Sequence, residues 1–257
     1  PINKIAKNAF RNNSTLRSIT IGKYVTTIEE CAFYNMQSLE TVTIENGSHL
    51  QRIDNYAFSK TSSLKSINIP SSLKSIGNYA FDGANSLTSI TFEENSQLES
   101  IGEYAFNNAR KISELFIPSS VKSIGNYAFN GTSSLTSITF EKNSHLDSIG
   151  IYAFSSASSL RQIVIPSSVK IIGAGAFNKA STLFSVTFEK NSQLEIIGDY
   201  AFYEAIKLSS IEIPPSVYSI GKGVFYGASL LKDIKIPATV KKIENETFFG
   251  AASLSYV

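Results

Sequence analysis

The stretch Ile117–Phe129, IPSSVKSIGNYAF, decides the fold, because Ile69–Phe81 reads IPSSLKSIGNYAF, the same words with one aliphatic residue exchanged for another. The closing phenylalanine recurs through the chain as Phe10, Phe33, Phe58, Phe81, Phe106, Phe129, Phe154, Phe177, Phe202, Phe225 and Phe248. Its steps alternate between 23 and 25 residues as far as Phe225, and the last step is again 23. A fixed period of this length is the signature of a repeat array. Residues 1–257 therefore read as one solenoid of about eleven units, mostly joined in 48-residue pairs, and the quoted stretches are alternate units of it.

Each unit carries two apolar clusters. The first, as in LTSITF with Leu135, Ile138 and Phe140, ends in an in-out-in alternation that fits a short strand with one buried face. The second, VKSIGNYAF, has Val121, Ile124, Ala128 and Phe129 as its apolar set. A turn residue, usually glycine (Gly77, Gly102, Gly125 and equivalents), separates a short extended piece from an expected helical turn. A unit of this size cannot bury such side chains alone. Stacked on its neighbours, it gives a strand to a continuous parallel sheet and a Phe to a continuous spine.

The units differ in the connection after the strand. One kind leaves through proline (Pro70, Pro118, Pro166, Pro214, Pro237), which has no N–H to continue a ladder. The other leaves through ENGS, EENS or EKNS from Glu45, Glu93, Glu141 and Glu189, a turn two residues wider. A fifth wide turn falls due at position 237, where Pro237 stands instead, so the double repeat breaks once. The array begins with PINKIAKNAF and ends with AASLSYV, both in mid-pattern, so a longer array is expected and neither end reads as capped.

The phrase L-x-x-I-x-[IF]-P…V-x-x-I-G-x-x-A-F resembles the BspA-like, or Treponema-type, leucine-rich repeats, over essentially the whole chain. The resemblance implies a curved right-handed solenoid, strand-rich but of the α/β class. A parallel β-sheet would line its concave face, with short helical turns and extended segments on the convex face. It also implies a cell-surface or secreted protein used in adhesion or host interaction, with a host cell-surface or extracellular-matrix protein as partner. The family often has Cys three residues after the Phe; here that column is mostly Ala or Thr, with Asn13 and Met36. Small residues keep the packing, and no cysteine chemistry carries over.

A net charge of +2 with 17% charged residues gives no field that would steer the chain to nucleic acid or an anionic membrane. The apolar runs fall short of the roughly 20 residues of a membrane span. Catalysis needs different residue types converging on one point, whereas a repeat places one type along a line. His49 and His145 share a column four units apart, on the order of 20 Å, too far for one metal ion. Cys31, the single cysteine, reads as a half-buried filler. The Glu45, Glu93, Glu141 and Glu189 column reads as solvated turn charge. Tyr56, Tyr79, Tyr104, Tyr127, Tyr152 and Tyr200 read as a ladder that packs the turns rather than a base-stacking platform, for want of a basic groove. The chain is read as a non-enzyme without cofactor or metal.

A partner would meet the exposed positions of the sheet. The outward residue at each strand centre reads Thr20, Thr43, Asn68, Thr91, Phe116, Thr139, Val164, Thr187, Glu212, Lys235. Most of this face is Ser and Thr. Phe116 and Val164 interrupt it with apolar groups, flanked by Glu114, Gln162, Glu212, Lys235 and Asn68. These seven are the candidate protein-binding residues. The competing readings are a spacer or stalk without a ligand, and an intracellular scaffold.

Overall fold

In-out alternation in the first apolar cluster produces the strands it predicts. The computed structural model describes residues 1–257. Ten such strands, from Ser18–Ile21 to Asp233–Lys235, recur at the repeat period. In Glu114–Ile117, Leu115 and Ile117 are buried while Glu114 and Phe116 face water. The second cluster gives ten two-residue strands, such as Ser123–Ile124. Each is too short to stand alone, yet in chain order they pair in parallel into one ten-stranded sheet.

The long strands do not form the single continuous sheet that the repeat suggests. They divide into a four-stranded sheet over residues 18–92 and a six-stranded sheet over residues 114–235. The pairing alternates. Across a 23-residue step it is complete, with four rungs from Glu114↔Ser137 to Ile117↔Phe140. Across a 25-residue step it shrinks to Ser137↔Gln162 alone, to Thr41↔Ser66 alone or to two rungs from Ser185↔Ser210. Between Ser89–Phe92 and Glu114–Ile117 the ladder is lost, and there the sheet splits.

The glutamate column follows the alternation and adds a structural bond to its reading as solvated turn charge, since Glu45, Glu141 and Glu189 are exposed. Glu141 donates its backbone N–H to Ile117 O at 3.0 Å, and its Oε2 accepts the Ser119 N–H at 2.7 Å. Glu45, Glu93 and Glu189 accept from Lys23, Ser71 and Ser167 in the same way. Each carboxylate thus latches the exits of two strands one 23-residue step apart; no such latch spans a wide step. The sequence break near Pro237 fits this logic. Pro215 stands where Ser167 would donate and Pro237 where Glu189 would accept, so donor and acceptor are lost together. That last pair of strands has three rungs rather than four.

The expected helical turns are absent; the chain contains no helix. In their place the segment around each Phe alternates two kinds of hydrogen bond. Tyr104, Phe106 and Asn108 donate their N–H groups to Asn126, Ala128 and Asn130 of the next unit, while Ala105, Asn107 and Ala109 donate three residues back within their own. Left-handed conformations at Tyr104 (φ 53°) and Asn108 (φ 58°) turn the peptide groups outward to the neighbour. A helix would require φ near −63° at both. The glycine between the clusters is needed for close approach rather than for a special φ: a Cβ on Gly125 would lie 2.6 Å from the Gly102 carbonyl carbon.

The core is one cluster running the length of the array. Nine of the spine phenylalanines, Phe33 to Phe225, are fully buried. Phe10 and Phe248, in the outermost units, are partly covered. The eleven rings form one stack: Phe106–Phe129 has centroids 5.2 Å apart and planes within 5°, and the end pairs keep the same arrangement. Thr61 and Thr132, in the column where the family often has Cys, are buried with hydroxyls donating to Phe58 O and Phe129 O.

Candidate protein-binding face

Asn68, Glu114, Phe116, Gln162, Val164, Glu212 and Lys235 are all exposed on the long-strand face. Phe116 is 41% and Val164 52% exposed, high values for apolar side chains beside a buried core. Because Leu115, Ile163 and Ile211 on the same strands point inward and anchor them, the outward residues can vary without touching the core. Strand alternation alone fixes this placement.

The latched pairs add an order that the column list by itself does not reveal. Within the pairs, the second strand carries Thr43, Thr91, Thr139 and Thr187, and only the last pair departs, with Lys235. The first strand carries Thr20, then Asn68, Phe116, Val164 and Glu212. Every change but Lys235 therefore falls on the first strand of a pair, while the threonine on the second strand of the preceding pair lies across the gap. The signal was present in the sequence as a 48-residue period in the outward column. It acquires meaning only once the pairing is known.

Two of the gaps open into grooves. Between Ser137–Phe140 and Gln162–Ile165 lies a groove of about 250 Å³ with Val164 in its wall. Between Ser185–Phe188 and Ser210–Glu212 lies one of about 600 Å³, lined by Phe188, Ile211 and Ile213 and carrying Glu189 and Glu212. The second is within the volume range of small-ligand sites, though it is an open trough.

Other candidate chemistry stays dispersed. His145 Nδ1 lies 3.0 Å from Ser119 O, and His49 meets Tyr24 edge-on at 6.0 Å between centroids. No three His, Cys, Asp or Glu come together to hold a metal ion. Burial, followed by the neighbouring Glu30 charge, pushes the Cys31 thiol up, away from the thiolate form a nucleophile needs. The tyrosine ladder runs from Tyr56 to Tyr152, with rings stacked 4.6 to 5.1 Å apart. It stops at Gly175, where a Cβ would meet the Tyr152 ring at 2.3 Å. Tyr200 is therefore outside the stack and meets Tyr203 edge-on at 80°. No helix is long and apolar enough to cross a membrane.

The model of the "BspA type Leucine rich repeat region" matches in six copies, over residues 3–136, 51–178 and 147–257. The chain belongs to the BspA-type leucine-rich repeat family. Among solved structures, this BspA-type chain is similar to the pneumococcal vaccine antigen PcpA, at 25% identity and TM-score 0.63, covering 98% of this chain and 72% of that one. It is similar to a leucine-rich cell surface protein of Faecalibacterium prausnitzii, at 26% identity and TM-score 0.51, covering 100% and 82%. A leucine-rich repeat protein of Eubacterium ventriosum matches at 25% identity and TM-score 0.67, covering 91% and 64%. Among curated proteins none matches.

Proposed function

We propose that this BspA-type chain is a non-enzymatic protein-binding module of a cell-surface or secreted protein, serving adhesion or host interaction through its long-strand face. One observation carries the reading: the outward column changes from Thr to Asn68, Phe116, Val164 and Glu212 almost only on the first strand of each pair, 48 residues apart. A face kept merely soluble has no reason to confine its exposed apolar residues to those positions. Aromatic and apolar anchors amid polar groups are the material of binding hot spots. The surface location draws support from the similar Faecalibacterium prausnitzii protein, described as a cell surface protein, and from PcpA, described as a vaccine antigen. The partner class that fits is a host cell-surface or matrix protein.

The test is a screen of the chain against host-cell surfaces and matrix proteins, repeated with Phe116→Asp. Phe116 points outward, so the variant keeps the fold, and binding weakens by about 2 kcal/mol if the residue is a hot spot. Normal binding by the variant would remove Phe116 from the site. A chain that binds nothing on any surface would favour the spacer or stalk.

A further inference from the structure

We infer that the long-strand face takes an extended partner segment in the polyproline II conformation, laid along the solenoid axis, with every third side chain entering one gap between latched strand pairs. The inference rests on the strand face being the working surface. Its ground is a match of two periods. The two-residue strands pair without a break and so set the rise per unit at about 4.8 Å, which places gaps recurring at every second unit about 10 Å apart along the axis. A polyproline II helix has three residues per turn and rises about 3.1 Å per residue, so its every third side chain returns to one face after about 9 Å. A β-strand partner fails this match, because its side chains return to one face after two residues, roughly 7 Å.

An α-helix returns to one face at every turn of about 5.4 Å, so alternate turns also fall near this distance, but its carbonyls are already satisfied. Polyproline II leaves its backbone groups free, and the gaps offer the exposed hydroxyls of Thr139 and Thr187 as donors. The order of residues gives the order of side chains the partner needs. Phe116 and Val164 call for two successive apolar groups. The third gap, where Glu189 and Glu212 line the groove, calls for Lys or Arg. The Glu189 carboxylate is held by the Ser167 N–H, which leaves Glu212 as the free acid, with Lys235 one strand further on and opposite it in register. The motif is thus apolar-x-x-apolar-x-x-Lys/Arg, in either chain direction.

Fluorescence anisotropy with three labelled peptide sets tests this. Proline-framed peptides carry Leu, Leu and Arg at every third position, in both orders; control peptides carry them at every second position; helix-forming peptides carry them two turns apart. The every-third peptide in one order is expected to bind roughly tenfold tighter than either control. Val164→Asp should weaken it by a similar factor, and Glu212→Lys should shift preference to a version of this peptide with Glu in place of Arg. Equal or tighter binding of a control that still depends on Val164 would overturn the polyproline II assignment and leave the strand-face reading intact. Binding indifferent to Val164→Asp but lost in Tyr127→Ala would defeat both. No binding by any peptide would overturn this inference alone, since the strand face is tested separately by the Phe116→Asp screen.

Discussion

Replacing Phe129 with alanine would remove a ring stacked at 5.2 Å on Phe106 and 5.4 Å on Phe154, fully enclosed by the core. Unfolding of Phe129→Ala in denaturant should show a loss of about 3–5 kcal/mol, the cost of a buried aromatic truncation; a loss below about 1 kcal/mol would mean that the spine is not the principal support. The Glu141 latch gives a second residue-level expectation. Hydrogen bonds from Ser119 hold the Glu141 carboxyl below its ordinary range. A carboxyl depressed in the folded state contributes stability that is present above its unfolded pKa and lost as pH falls through the folded one. Melting curves should therefore show the chain losing stability below about pH 4.5, with Glu141→Gln losing less over that range. At neutral pH the exposed latch should be worth only about 1 kcal/mol. The spine was legible from spacing alone. The latch was not, because its donor and acceptor lie 22 residues apart and belong to different turns.

At the scale of the element, the unit of construction is a latched pair of strands rather than the single repeat. If Pro215 and Pro237 mark the joint loss of one latch, Pro215→Ser and Pro237→Glu should be weak singly and favourable together. A double-mutant cycle should then give a coupling of at least about 0.5 kcal/mol. Additive singles would show that the three-rung pair owes its shortness to something else. The strands themselves were readable from alternation, since burial of Leu115 and Ile117 around Phe116 follows from period two. The turns around each Phe were not, and the expected helical turns gave way to left-handed backbone. A hint was present two residues after the Phe, where Asn12, Asn35, Asn108, Gly83 and Gly131 stand, residues that adopt positive φ at little cost. Tyrosine in the column two residues before the Phe hid the pattern, because Tyr104 and its equivalents take the same conformation against their preference.

Over the whole molecule, stacking makes the interior uniform and leaves difference only to the surface. The period made the solenoid and its family readable from sequence, since one motif spans nearly every unit. It could not show that the outward column changes in step with the strand pairs, because pairing depends on hydrogen bonds between units. Under the proposed function that coincidence marks a working face rather than a regular stalk, and hydrogen–deuterium exchange addresses it most directly. With a partner from the surface screen bound, added protection should fall on Glu114–Ile117 and Gln162–Ile165 and spare the turns around Tyr104 and Tyr127. Protection confined to those turns, with the two strands unchanged, would contradict the account.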